Sequence, residues 1–139
     1  MTLSYMKERI KEIAREIRYF KYRFKTGIKN LFYFLPTIWK FRDWDYTYVW
    51  QMELVSIKKL RVGLEKRDLH SNTCRYVQQM KDCEYLLKRL IDDQYWHDAK
   101  NLYLGDAFKK AQEHEKYMYR QDMEYLARLK GKHMNKWWD

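Results

Sequence analysis

The residues best suited to chemistry lie in the stretch WKFRDWDYTYVW, positions 39 to 50, which mixes aromatic rings with cations and carboxylates. Aromatic rings stack on nucleobases, while lysine and arginine neutralise phosphate, so the mixture is typical of a nucleotide-binding surface. The candidate binding residues here are Trp39, Lys40, Arg42, Trp44 and Tyr46. A purely structural alternative stays open, in which Trp39, Trp44 and Tyr48 pack at a corner between two helices. Arg42 would then pair with Asp45.

A second mixture of rings and cations closes the chain, in the stretch KHMNKWWD at positions 132 to 139. Tryptophan side chains at a terminus are costly to leave in water, so we expect Trp137 and Trp138 to be covered. They would pack on the body of the protein, on a second subunit or on a ligand. In the last case they would join the binding residues of the first stretch.

Catalysis has little support in the sequence. His114-Glu115 begins like the zinc motif HExxH, but Met118 stands where the second histidine is required. Asp93 and His97 are four residues apart and would suit a base oriented by an acid, although a surface ion pair explains the same spacing. The glycines are too scattered for a phosphate-binding loop. We therefore expect no enzymatic activity, no metal and no cofactor.

The positive charge is concentrated near the start of the chain. Of the net charge of +10, residues 1–42 carry +8, from eleven cations and three acids. Helical spacing places part of this charge on one exposed ridge, which predicts an anionic partner. The basic ridge comprises Lys11, Arg15, Arg18, Tyr22, Lys25 and Lys29.

Apolar residues in the same segment recur at spacings of three and four. Such a stripe favours a helix with one face in the core. The apolar stripe comprises Ile10, Ile13, Ile17, Phe20, Phe24, Ile28 and Leu31. A membrane surface is a weaker partner than nucleic acid or nucleotide on this argument, because the stripe it would need is assigned to the core.

These elements together predict an all-α protein, a single domain over residues 1–139. One proline and four glycines in 139 residues are typical of long helices with short connections. The predicted helices cover about 4–35, 44–69, 72–98 and 106–135, with Pro36 ending or kinking the first. Short connections favour a four-helix antiparallel bundle, oligomeric through its aromatic surfaces. Cys74 and Cys83 are expected to be reduced and buried.

Two motifs also resemble a known group of proteins. The first is the Trp-Lys-x-Arg-Asp-Trp-Asp motif at positions 39–45, following Pro36, and the second is the closing Trp-Trp-Asp at positions 137–139. Together they resemble uncharacterised small helical proteins of tailed bacteriophages, although Phe41 departs from the acidic residue of that pattern. The resemblance covers about a third of the chain and implies a phage-encoded protein acting in the bacterial host cytoplasm. It brings no established activity.

The sequence therefore predicts a non-enzymatic phage accessory protein that binds a phosphate-bearing nucleotide. By analogy with the class of phage counter-defence factors, the ligand would be a cyclic nucleotide of host immune signalling. The first alternative is a nucleic-acid-binding accessory protein that uses the basic ridge. The second is a protein that inhibits a host factor by direct contact, and a minor structural or assembly protein is a third.

Overall fold

The computed structural model describes residues 3–67, 73–103 and 108–137, and within these ranges the chain is all α-helical. This confirms the predicted fold class. Five helices are present in these ranges instead of the four predicted, and a short 3-10 turn follows at Met134–Lys136. The helices are α1 (Leu3–Trp39), α2 (Thr47–Arg67), α3 (Thr73–Asp92), α4 (Tyr95–Leu102) and α5 (Phe108–His133).

The fifth helix arises because the predicted helix 72–98 is interrupted after Asp92. Asp93 has a φ of 46°, in the left-handed region that aspartate tolerates better than most residues. Its N–H still donates to the carbonyl of Arg89 at 3.1 Å, and α4 begins two residues later. The first residues of the predicted helices 72–98 and 106–135 lie outside the described residues.

The chain divides into two compact units, Met1–Phe41 and Arg42–Asp139, where the sequence predicts one domain. The first unit is α1. This helix continues through Pro36 to Trp39, so the expectation that it ends at about residue 35 is wrong. Proline in the final turn removes one hydrogen bond near the helix end, which is less disruptive than the same loss in mid-helix.

The apolar stripe of α1 is exposed, so the prediction that it faces the core is wrong. All seven of its residues are 41 to 68% exposed. The basic ridge, Lys11, Arg15, Arg18, Tyr22, Lys25 and Lys29, is exposed as expected. No helix in the described part of the chain combines the length and the apolar character needed to span a bilayer.

The second unit is built on three long helices. Ion pairs join Arg61 to Glu84 and Glu65 to Lys81, the latter at 3.6 Å. Residue numbers therefore rise along α2 as they fall along α3, and the two helices are antiparallel.

A second set of contacts fixes α5 against α3. Arg89 lies 3.1 Å from Asp122, while Gln79 contacts Trp137 just beyond the end of α5. These pairs make α5 antiparallel to α3, so α2, α3 and α5 alternate in direction. The short helix α4 packs against α5.

The core of this unit is centred on α3. Burying these apolar side chains is the main source of stability for such a bundle. Phe108 and Tyr125 of α5 lie outside the core and are 64% and 51% exposed. The core cluster consists of Ile57, Met80, Cys83, Leu86, Leu87, Leu90, Tyr95, Leu126, Leu129 and Trp137.

The two cysteines have different surroundings. Cys83 is fully buried, and burial raises the pKa of its thiol to about 12, so the thiol is neutral at physiological pH. Cys74 is exposed, so the expectation of burial holds for Cys83 and is wrong for Cys74.

Candidate functional site

The 39–50 stretch lies at the junction of α1 and α2, and local hydrogen bonds hold its two ends. The N–H groups of Lys40 and Phe41 donate to carbonyls of the last turn of α1, at 3.2 and 3.0 Å. At the other end, Asp45 accepts from the backbone N–H and the hydroxyl of Thr47, at 3.0 and 2.6 Å. Asp45 thus places its negative charge at the start of α2, as a helix N-terminus favours.

The tryptophans of this stretch are exposed instead of packed. Trp44 is 79% exposed, and the guanidinium carbon of Arg42 lies 5.9 Å from the centroid of its ring. Trp39, in the first unit, is 84% exposed, and Lys40 is exposed as well. Of the three rings that the structural alternative places in a corner, Tyr48 alone is buried. Exposed tryptophan surface of this kind is available to a partner.

In the C-terminal stretch, by contrast, the described tryptophan is buried. Trp137 is 2% exposed, and its indole N–H donates to the side-chain oxygen of Gln79 at 3.1 Å. A ring with no free face cannot stack on a base, so Trp137 is a core residue and its predicted role in ligand binding is wrong. Trp138 lies outside the described residues.

Tyr46, in the 39–50 stretch, contacts a series of aromatic residues in another part of the second unit. Its ring meets Trp50 edge-on at 5.4 Å, Trp50 lies 6.3 Å from Tyr119, and Tyr119 meets Tyr95 edge-on at 5.7 Å. These four rings form an aromatic ladder that joins α2, α5 and α4. Edge-on pairs at such distances add stability beyond the burial of their area.

A groove of about 600 Å³ opens beside the ladder, between the start of α4 and the middle of α5. This volume lies within the range of small-molecule sites. Lys116 and Arg120 lie one helical turn apart in its lining, so the groove combines two cations with the half-buried ring of Tyr119. We call it the tyrosine groove, and its lining is Asp93, Tyr95, Gln112, Glu115, Lys116, Tyr119, Arg120 and Met123.

Part-buried polar contacts hold Tyr95, a core residue in the lining of the tyrosine groove, in place. The hydroxyl of Tyr95 donates to Asp122 at 2.8 Å, and the guanidinium of Arg89 also contacts that carboxylate. Burial, reinforced by Asp122, raises the pKa of Tyr95 well above its usual range. Burial also raises the pKa of Tyr119, with smaller contributions from Tyr46 and Asp93. Both hydroxyl groups are therefore protonated at physiological pH, and that of Tyr95 already donates to Asp122.

The predicted acid–base pair is not formed as the sequence suggested. Asp93 lies at the break before α4 and His97 lies within α4, so the two do not share one continuous helix. A smaller cavity of about 220 Å³ lies nearby, lined by Tyr85, Arg89, Asp92, Gln94, Tyr95 and Asp98. Within residues 3–67, 73–103 and 108–137, no cluster of histidine, cysteine and acidic residues could hold a metal ion.

Sequence reasoning missed the residues of the tyrosine groove, although a signal for them exists. The segment KYMYRQ at positions 116–121 interleaves two cations with two tyrosines at helical spacing. This is the same mixture that singled out the 39–50 stretch. The contribution of Tyr95 has no such signal, because α4 and α5 bring it beside Tyr119 from 24 residues away.

Comparison with protein-family models, with curated proteins and with solved structures finds no match to this chain.

Proposed function

We propose that this protein is a non-enzymatic binder of a phosphate-bearing nucleotide, and that the tyrosine groove is its binding site. The observation that carries the proposal is the position of the exposed Lys116 and Arg120 in one groove with the half-buried ring of Tyr119. Nucleotides need both kinds of contact, since the base offers a flat apolar face and the phosphate a charge.

Each part of the groove has a role in this proposal. Tyr119 and Met123 provide the apolar surface against which a base would lie. Arg120 is suited to bidentate contact with phosphate, and Lys116 adds a second charge. The side-chain amide of Gln112 both donates and accepts, which matches the mixed edge of a base.

The two acids of the lining narrow the choice of ligand. Asp93 and Glu115 would accept hydrogen bonds from ribose hydroxyls or from exocyclic amines, while repelling additional phosphate. With two cations and two acids in the lining, a ligand of low charge fits better than a polyphosphate chain. A cyclic nucleotide, with one negative charge per phosphate, meets this condition.

In the 39–50 stretch, Tyr46 belongs to the aromatic ladder beside the groove but not to the lining of the groove. Arg42 and Trp44 form a second pair of cation and exposed ring on the same unit. The sequestration of a host immune signal is the further step of the proposal. It rests on the resemblance to tailed-phage proteins.

The test is thermal unfolding against a panel of linear and cyclic nucleotides. A ligand present at a hundredfold excess over its Kd raises the free energy of unfolding by about 2.7 kcal/mol, which shifts the midpoint by several degrees. We expect this shift with a cyclic nucleotide and its loss in Lys116→Ala/Arg120→Ala. The matched control is Lys109→Ala/Lys110→Ala, which removes two exposed lysines from the same helix.

Three results would contradict the proposal. Equal shifts in the groove variant and its control would place the ligand elsewhere. A response to DNA or RNA alone, lost in Arg15→Ala/Arg18→Ala, would favour nucleic-acid binding through the exposed basic ridge, and its affinity would fall steeply with salt. The absence of a thermal shift with every ligand of the panel would favour a protein partner from the host.

A further inference from the structure

The most prominent feature outside the tyrosine groove is the exposed apolar stripe of α1. Phe20 and Phe24 are 68% and 60% exposed, and their rings stack on each other at 6.3 Å. Towards the end of the helix, Phe32 and Trp39 are 68% and 84% exposed. Exposed apolar surface on this scale marks a site of interaction.

The border of the stripe is basic. Lys21 follows Ile17 by four residues and precedes Phe24 by three, which places it along the edge of the stripe. Lys25 stands in the same relation to Ile28. Both lysines are exposed and can extend their alkyl chains along apolar surface while the ammonium groups reach outward.

The charge of this segment favours an anionic partner over a second copy of the chain. Residues 1–42 carry a net charge of +8, so two copies packed through the stripe would bring two strongly positive helices together. An anionic bilayer instead offers apolar chains to the stripe and negative headgroups to its basic border. Nucleic acid would match the charge but not the isoleucine and leucine side chains that make up most of the stripe.

We propose that α1 lies in the interface of an anionic lipid bilayer, with its apolar stripe in the acyl boundary and its lysines among the headgroups. The helix has the features of such segments: two distinct faces, phenylalanine, isoleucine and tryptophan on one, and lysine and arginine on the other. On the sequence alone, a membrane surface is the weaker partner because the apolar stripe is assigned to the core. In the structure the stripe is exposed, so this reason no longer holds.

The experiment is co-sedimentation of the full-length protein with vesicles of phosphatidylcholine, with or without phosphatidylglycerol. We expect binding to the anionic vesicles. Lys21→Gln/Lys25→Gln should weaken it roughly 30-fold, since each cation near such a surface contributes about 1 kcal/mol. Phe20→Gln/Phe24→Gln should weaken it about a hundredfold, because both rings lose their burial in lipid.

Matched controls come from α5, which has equally exposed residues. Phe108→Gln/Tyr117→Gln removes two rings that are 64% and 60% exposed, and Lys109→Gln/Lys110→Gln removes two exposed lysines. Neither control should change vesicle binding. Glutamine keeps a good helix propensity, so circular dichroism should show unchanged helicity in all four variants.

Other outcomes would overturn the proposal. Equal binding by the stripe variant and its control would exclude the stripe as the contact. Sedimentation equilibrium showing a dimer that the stripe variant converts to a monomer, without vesicle binding, would assign the stripe to a second copy. Binding to polynucleotides that is insensitive to Phe20→Gln/Phe24→Gln would assign α1 to nucleic acid.

Discussion

At the scale of single residues, some aromatic side chains are buried in the core and others are exposed. Trp137 and Trp44 are both flanked by charge in the sequence, yet one is 2% exposed and the other 79%. Trp137 packs in the core cluster, where its indole N–H also has a partner. Trp137 donates to Gln79, so both polar groups are satisfied inside the protein, where an unpaired one would be costly.

The bond between Trp137 and Gln79 is therefore testable. Trp137→Phe should lower the free energy of unfolding by about 1–3 kcal/mol, since it leaves the buried amide of Gln79 without its donor. Trp44→Phe, at an exposed position, should change it by no more than about 0.5 kcal/mol. Urea unfolding followed by circular dichroism measures both.

A double variant isolates the hydrogen bond from the change in ring size. Trp137→Phe/Gln79→Leu removes donor and acceptor together, so it should recover most of the loss. If the double variant is less stable than Trp137→Phe alone, the hydrogen bond is not the source of the effect.

At the scale of helices, a buried ion pair ties α2 to α3. Arg61 has 15% of its side chain exposed and contacts Glu84, whose side chain is 9% exposed, while Glu65 adds a second carboxylate at 2.9 Å. The hydrogen bond that Arg61 donates to Glu84 is the largest cause that raises the pKa of Arg61. Burial lowers this pKa, and the hydrogen bond donated to Glu65 raises it further. A pair so far from water is costly to break from one side.

Removing Arg61 should have a large effect. Arg61→Ala leaves Glu84 buried without its counter-charge, so we expect a loss of about 3 kcal/mol in the free energy of unfolding. The exposed pair of Arg128 and Glu124, with side chains 76% and 56% exposed, provides the control. Arg128→Ala should cost less than about 1 kcal/mol.

The pair can also be replaced as a whole. Arg61→Met/Glu84→Met exchanges two buried charges for apolar side chains of similar size, so its stability should lie close to that of the wild type. A cost for Arg61→Ala no larger than that for Arg128→Ala would show that water screens the buried pair in solution.

At the scale of the whole molecule, each of the two proposals concerns a different unit of the chain. The core cluster is drawn entirely from residues 57 to 137 of the second unit, and so is the lining of the tyrosine groove. The apolar stripe and the basic ridge belong to the first unit, Met1–Phe41.

A fragment of residues 42–139 should therefore fold and unfold cooperatively, because it keeps the whole core cluster. It should retain the thermal shift with nucleotide and lose binding to anionic vesicles. Calorimetry, the nucleotide panel and co-sedimentation check the three expectations on one sample. A fragment that fails to fold, or that keeps vesicle binding, would contradict the assignment of these properties to separate units.

The sequence by itself determined the helical class and the exposed basic ridge of α1. Each of these follows from local spacing, because helical periodicity depends on residues a few positions apart. Along α3, Met80, Leu87 and Leu90 recur at gaps of seven and three residues, which places them on one helix face, and all three are buried.

Only the tertiary structure decided which apolar faces are covered and which aromatic residues come together. The stripe of α1 has as good a helical spacing as that of α3, yet its residues are exposed. Burial requires a partner surface, and a helix does not encode its partner in its own periodicity. For the same reason, Trp137 became a core residue through Gln79, 58 positions away, and the tyrosine groove formed where the break at Asp93 places Tyr95 beside Tyr119.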